Sequence, residues 1–455
     1  MRLGLGLLGR TSQRIARARG GLFGMAQTLV AQGVTLFVNV ATGIITARLL
    51  GPAGRGEFAS AGLWILLPSL LSVVGLQSAA VYEIRRQPTA AASISVAAFG
   101  LATAAYIPIA LVSLWLIPSL MHGYRSQIVC LARLAVLGSV LNVWSLIQSQ
   151  VLLGTRNMHV FNLSTYSMAM VYLMLLLVLV AFHALSPTTG ILAMIAGTTL
   201  VLVPKIGWVA RQWCWRSLRP FAFVGPLVRY TAKAAATDMV GVLYSHIDRL
   251  VLIGLVSPAA FGLYAVAISF ARTLMVLQSA VSSVTLADLS HKPVAEIEVY
   301  IHRTFRALLW LLLVVCMAGV MLGGPLLRLL YGQHFGDAAP IFYVLLADAS
   351  LTCLGQLLIE AFLASGKPLY PSAVQVVCLG ITTAALFILT PRLGGIGAGT
   401  AMACGSSLRL FLLLMGLRRI GLGLPNPIPR PSEVRDLLVV LRTPDEVSRP
   451  TSSRA

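Results

Sequence analysis

The sequence predicts an all-α polytopic membrane protein of about twelve transmembrane helices, arranged as two parallel six-helix lobes. Three observations predict it. Of the 455 residues, 58% are hydrophobic and only 11% charged, where a soluble domain is nearer half apolar and a quarter charged. Apolar runs of membrane-spanning length recur along the whole chain. One turn is also written twice: "LLGPAGRGEFA" from Leu49 to Ala59 and "LVSPAAFGLYA" from Leu255 to Ala265. The copies agree at Leu49/Leu255, Pro52/Pro258, Ala53/Ala259, Gly56/Gly262 and Ala59/Ala265, with Phe58 against Tyr264.

A window of about 19 residues, suited to about 30 Å of hydrocarbon, finds the spans in order. The first set falls at 22–47, 58–82, 92–119, 127–152, 159–184 and 190–210. The second falls at 230–255, 261–288, 305–329, 338–364, 369–390 and 395–417. Short connectors carry the breakers: "LLGPAGRG", "RRQPTA", "LSPTTG", "LASGKPLYP" and "LTPRLGG". The first run is too long for a signal-peptide core and is read as a retained helix. The expected organisation is a basic cytoplasmic N-terminus (1–21), an N-terminal lobe (22–210), a basic cytoplasmic linker "RQWCWRSLRPFAFVGPLVR" (211–229), a C-terminal lobe (230–417) and a cytoplasmic tail (418–455). The tail is rich in Pro, Arg and Ser and is expected to be mostly disordered, with a short helix around 432–442.

The net charge of +20 would suit nucleic acid, but no basic patch falls on a soluble domain. With the N-terminus placed inside, the outer segments hold only Arg48, Arg55, Arg125, Arg328 and Arg392, while the inner segments hold most of the remaining Lys and Arg, Lys205 among them. That asymmetry is a positive-inside signal with both termini cytoplasmic, and it adds attraction to anionic membrane lipids. Six helices separate the two copies of the turn, so both copies face one side and the lobes are related by an axis along the membrane normal. A second pair, "GTRNMH" from Gly154 and "SGKPLY" from Ser365, sits at nearly the same offset. Parallel repeats of this kind point to alternating access, with the substrate site between the lobes.

The six cysteines are scattered, with no Cys-x-x-Cys and no Cys/His cluster, so no metal site, cofactor or disulfide framework is expected. No catalytic constellation occurs in a loop. Five cations fall inside helices: Arg133, Lys233, Arg249, Arg272 and Arg409. At membrane depth each costs at least about 2.5–3.5 kcal/mol on insertion scales unless it is wet or paired. They form the candidate substrate-binding set, spread as a ladder with Arg272 near the midplane, and Arg suits phosphate oxygens. A static alternative is that Arg133 and Lys233 snorkel and that the acids merely neutralise arginines. Asp238 and Asp248 in helix 7 are the candidate ion-coupling residues, since burial can tune a carboxylate to carry a proton. Asp348 and Glu360 lie in helix 10, the latter read as a gate or snorkelling group. His246 reads as a packed or hydrogen-bonded group rather than a ligand.

Four segments resemble a known family. "HIDRLVLIGLVSPAAFGLYAVAISF" (His246–Phe270) is similar to the helix 7–turn–helix 8 region of the polysaccharide transporters, the oligosaccharide flippases of the multidrug/oligosaccharidyl-lipid/polysaccharide exporter superfamily. "ITARLLGPAGRGEFASAGLW", "LLRLLYGQHFGDAAPIFYVLL" and "LGGIGAGTAMA" resemble its first turn, its helix 9–10 connection and the start of its helix 12. The resemblance implies a two-lobed bundle in a bacterial inner membrane. It implies an undecaprenyl-diphosphate-linked sugar unit as substrate, moved from inner to outer leaflet, and other polysaccharide-assembly membrane proteins as candidate partners. A drug/cation antiporter of the same superfamily would need an acidic cavity, whereas the intramembrane charges predict a cationic one. A membrane enzyme of polysaccharide assembly would need a large extramembrane loop with carboxylates, which the short outer connectors do not provide.

Overall fold

The computed structural model describes residues 3–211, 218–274, 294–367 and 369–425. Most of the tail, including 432–442, part of the linker and the second half of the predicted helix 8 lie outside the described residues.

The helices are α1 (Leu3–Ser72), α2 (Leu76–Arg86), α3 (Ala91–Leu120), α4 (Ser126–Gly154), α5 (Met158–Ala181), α6 (Pro187–Ala210), α7 (Phe221–Leu255), α8 (Pro258–Ala271), α9 (Val294–Tyr331), α10 (Ala339–Ala364) and α11 (Leu369–Leu417). Two are double spans. α1 is kinked at Gly51 and α11 at Gly394, where the backbone leaves helical geometry. Each limb then corresponds to one predicted span, and about twelve crossings result. Connector chemistry sets the starts. Ser186 caps α6 through a capping box with Thr189, and Pro187 follows at the first helical position. In the second copy of the repeated turn, Ser257 Oγ accepts the Ala260 N–H at 3.3 Å, with Pro258 next.

Helical bounds differ from expectation at several places. α7 begins at Phe221 rather than 230, and α9 at Val294 rather than 305. α8 ends at Ala271, so Arg272 caps a helix end rather than sitting within a continuous span. The predicted second span is broken between Ser72 and Leu76 by Gly75, which has φ +70°. Only glycine adopts that geometry without a Cβ penalty. Irregular backbone at membrane depth is tolerated where it lines a cavity, and this break does so.

Helices α1–α6 form one lobe and α7–α11 the other. At one end, the turn end, the two copies of the repeated turn lie against each other. A Cβ on Gly56 would sit 1.7 Å from the Pro258 carbonyl oxygen, and one on Gly262 would sit 1.9 Å from the Pro52 carbonyl oxygen. Each glycine thus receives the proline carbonyl of the other copy, in a near-symmetric exchange. The turn is written twice because its two copies are each other's partner. Arg48 adds a further tie across the lobes, donating from Nε to Leu330 O at 2.7 Å and also to Leu329 O at the end of α9. At the opposite, basic end, Gly75 abuts the backbone of Thr231 and Ala235. There the Tyr82 and Tyr230 rings stack at 5.0 Å across the lobes.

The outer faces are apolar. Trp115 is 77% exposed, and Val314, Met317 and Phe387 are also exposed, which in water would be a liability and in lipid is the solvated surface. The short 3₁₀ turn Gln333–Ala338 packs against α8 and α1 at the turn end. A topology reporter in 331–337 is therefore expected on the side opposite one fused after Arg419, with the latter cytoplasmic. A same-side result would overturn the two-lobe crossing order.

Candidate functional site

A cavity of about 880 Å³ lies between the lobes, within the range of ligand pockets, about 300–1,000 Å³. The C-terminal lobe supplies most of its wall from α7, α8, α10 and α11. The N-terminal lobe supplies the end of α1, the helix break and the start of α2, including Val73, Val74 and Gln77.

Polar groups converge there from several helices. Asp248 of α7 is fully buried and its Oδ2 accepts the Tyr264 hydroxyl at 2.7 Å, while Oδ1 has no hydrogen-bond partner. Tyr264 belongs to the second copy of the repeated turn, so the lobe contact also anchors this carboxylate. Asp348 of α10 accepts from Ser406 Oγ at 2.6 Å, and Ser406 is in turn 3.3 Å from the Tyr244 hydroxyl and 3.2 Å from Thr352 Oγ1. Asp238 accepts the Gly75 N–H at 3.1 Å, a bond from one lobe to the other. Here a carboxylate of α7 serves the N-terminus of α2, where negative charge is favoured.

The cations are held differently. Arg272 donates from Nη2 to Ser245 O at 2.8 Å. Arg409 is buried, its guanidinium carbon 4.9 Å from the centroid of the Tyr244 ring, and its Nε and Nη2 have no acceptor. Among the described residues no ion pair joins Asp238, Asp248 or Asp348 to Arg249, Arg272 or Arg409. His246 shares Nδ1 with Val242 O at 3.0 Å, which leaves Nε2 as an acceptor in the neutral ring. Gln356 and Gln375 complete the polar lining.

Four of the residues expected from sequence therefore meet around one cavity: Arg272, Arg409, Asp238 and Asp248. Three do not line it. Arg249 follows Asp248 by one residue and is turned about 100° away from it; its Nε and Nη2 are buried without partners. Lys233 is exposed, one helical turn before the lining residue Thr237. Arg133 is exposed on the face of α4 that carries the exposed Leu134 and Leu137, away from the cavity. The expected ladder of five cations is corrected to two, and the lining holds three aspartates against two arginines. Asp348, to which the sequence assigns no role, also lines the cavity, as does His246, hydrogen-bonded to its own helix. Lys205, counted with the exposed inner charges, is instead buried, donating from Nζ to Ser149 Oγ at 2.8 Å and Ser145 O at 3.3 Å. Glu360 is buried as well, not a snorkelling group.

Residues 45–340 match the protein family described as "Polysaccharide biosynthesis protein". No curated protein matches the sequence. Among solved structures, the lipid II flippase MurJ in an inward closed conformation superposes with a TM-score of 0.72, at 12% identity, over 93% of each chain. A multidrug-resistance MATE-family transporter of the MOP superfamily, inward-facing, gives 0.69 at 18% identity over 85% of this chain and 94% of that one. A MOP-superfamily transporter from Pyrococcus furiosus, whose binding pocket is described as of reverse polarity, gives 0.61 at 17% identity over 87% and 94%. At these identities the likeness is one of fold.

Proposed function

We propose, because this chain belongs to the polysaccharide biosynthesis protein family, that it is an alternating-access flippase moving a lipid-diphosphate-linked oligosaccharide from the inner to the outer leaflet. The observation that carries the reading is Arg409. A guanidinium buried in the wall of an interlobe cavity, with Nε and Nη2 unpaired and no carboxylate in salt-bridge contact among the described residues, Asp348 acting on it only electrostatically, is a costly arrangement unless an anion completes it. A diphosphate does so, because its oxygens match the guanidinium fork. Arg272 supplies a second cation on the same wall. Gln77, Gln356, Gln375 and Thr352 offer hydrogen bonds to sugar hydroxyls. The lipid chain stays in the bilayer while the headgroup crosses through the polar cavity, so the headgroup is never transferred into hydrocarbon.

Asp238 and Asp248 are the coupling groups in this reading. The Asp238 bond to the Gly75 N–H ties the lobes beside the cavity, and a charged acceptor at a helix N-terminus is stronger than a neutral one. Neutralising Asp238 therefore loosens that tie. Lys233 lies toward the cytoplasmic mouth, and Arg249 stands behind Asp248 as background charge. Undecaprenyl diphosphate is the carrier of choice, the bacterial inner membrane the location, and other polysaccharide-assembly membrane proteins the neighbours. The positive-inside asymmetry supports cytoplasmic termini.

A strain lacking the protein is expected to accumulate the lipid-linked oligosaccharide on the inner leaflet. Arg272→Ala is expected to reproduce that accumulation at normal membrane abundance. Its guanidinium donates to the Ser245 carbonyl rather than to an acid, so removing it strands no carboxylate. Arg272→Lys restores part of the export, since a point charge loses the bidentate fit. Normal export by Arg272→Ala at normal abundance would remove this arginine from the site. One observation favours a second reading, a cation or drug antiporter: aspartates outnumber arginines on the lining. That reading predicts no oligosaccharide accumulation in the deletion strain and a gain in sensitivity to cationic drugs.

A further inference from the structure

A second pocket of about 660 Å³ lies at the basic end, between α2, α4 and α7. We propose that it is a loading site for the diphosphate headgroup of the lipid-linked substrate, occupied before the central cavity; the inference rests on the flippase reading above.

The charge contrast between the two cavities carries it. The central cavity sets three carboxylates against two arginines. The basic-end pocket has Arg85 and Arg86 on its wall and no carboxylate at all. Of these two cavities it has the more positive lining, the property that the sequence leads one to expect of the central one. Both arginines are exposed, so they are within reach of a headgroup at the membrane surface and folding has not buried their charge. Beside them stands the stacked Tyr82–Tyr230 pair, with Tyr82 47% exposed. Aromatic rings next to a phosphate-binding fork suit a sugar diphosphate, because a pyranose presents a C–H face to a ring while its phosphates take the guanidinium donors.

The two pockets are neighbours. Ser78 lines both. Gln77 belongs to the central cavity and Gln150 to the basic-end pocket, and these two side chains share a hydrogen bond, Gln150 Nε2 to Gln77 Oε1 at 3.3 Å. The partition between them is thus a pair of amides, whose hydrogen bonds a polyhydroxylated ligand can replace one for one. The tyrosine stack also crosses the lobes, so parting the lobes at this end opens the pocket toward the cavity. A simpler role for Arg85 and Arg86, as topological charges at the end of α2, requires only that they face water. It does not bring a tyrosine pair and a glutamine into one pocket with them.

The test uses the full chain in neutral phosphatidylcholine nanodiscs, with undecaprenyl diphosphate as probe and bound lipid read by native mass spectrometry. Protein carrying Arg272→Ala and Arg409→Met, which strip the central cavity of its cations, is expected still to bind one lipid diphosphate. Adding Arg85→Gln and Arg86→Gln is expected to weaken that binding at least tenfold. Arg85→Lys with Arg86→Lys keeps charge and topology and should retain most of it, which separates a binding defect from faulty insertion. Millimolar inorganic diphosphate should displace the probe, and an excess of phosphatidylglycerol should not. If phosphatidylglycerol displaces it equally, the pocket takes any anionic lipid and the proposal is wrong. If binding is lost on removing Arg272 and Arg409 alone and is indifferent to Arg85 and Arg86, the loading site falls while the flippase reading stands. If no variant and no wild-type protein binds the probe, both fall.

Discussion

Replacing Gly56 or Gly262 with leucine should hold the turn end of the lobes apart and disfavour the closed arrangement. The obstacle in each case is backbone. A Cβ at Gly56 would lie 1.7 Å from one carbonyl oxygen and a Cβ at Gly262 1.9 Å from another, where real Cβ contacts essentially never fall below 3.0 Å. No rotamer relieves such a clash, so the helices must separate by more than about 1 Å. Overpacking of this kind costs about 1–3 kcal/mol. The fold of each lobe does not depend on the contact, so the penalty falls on the closed arrangement and shifts its population by roughly 5–150-fold. Ser60 is the reporter of choice. It lies one turn beyond Gly56 and is fully buried. With the six native cysteines replaced, a Ser60→Cys protein should resist a membrane-impermeant maleimide. Adding Gly56→Leu or Gly262→Leu should raise its labelling rate at least tenfold and, on the flippase reading, abolish export. Alanine at either glycine, a milder change, should give an intermediate rate and guards against simple misfolding. Unchanged labelling at normal abundance in the alanine and leucine variants would show that the exchanged prolines do not seal this end.

That contact was half legible in the sequence. The repeat of Pro52-Ala53 and Gly56 at Pro258-Ala259 and Gly262 announced a duplication and placed both copies on one side. It did not say that the copies touch, because a match between two segments carries no distance. The span count was legible because crossing a bilayer demands about twenty apolar residues each time. Azimuth was not. A helix in lipid is apolar nearly all round, so no polar stripe marks which side faces water. Counting residues placed Arg272 near the midplane and Arg133 in the outer half, both inside helices, yet α4 turns Arg133 toward its exposed leucines while the end of α8 delivers Arg272 to the cavity. On α7 the eleven-residue spacing of Asp238 and Arg249 puts the two on one stripe, yet Asp238 and Asp248 are the residues that reach the cavity. Arg249, one residue further on, does not. The break at Gly75 escaped notice because a single glycine within an apolar run reads as a tolerated helix residue, and only its partner Asp238, far along the chain, makes the break worthwhile. Lys205 shows the opposite error: it lies near a helix end, where a lysine ordinarily reaches water, but α4 packs over it and offers Ser149 and a carbonyl instead.

Arg409→Met should separate transport from stability, and in opposite directions. The wild-type guanidinium is 5% exposed and keeps two N–H groups without acceptors. Its favourable contact is the Tyr244 face at 4.9 Å, worth about 2 kcal/mol when desolvated. Holding an unpaired charge out of water costs several kcal/mol, which exceeds that gain. Methionine fills a similar volume and adapts to irregular walls. A thermal melt in detergent should therefore show the variant as stable as the wild type or more so. On the flippase reading export should fall at least tenfold, because the cavity loses the donors proposed to hold the diphosphate. Arg409→Lys should recover a fraction of the export, since its compact charge attracts the phosphates without the fork. The competing account makes Arg409 a counter-charge for Asp348 on the neighbouring helix. Asp348 is satisfied by Ser406 at 2.6 Å rather than by the arginine, so that account expects little structure at stake there, yet it is testable. Under it, Arg409→Met would lower membrane abundance, and a second change, Asp348→Asn, would restore both abundance and export. Restored export in that double variant would remove Arg409 from the substrate site, because a transporter that needs its guanidinium for a diphosphate cannot be repaired by deleting an acid.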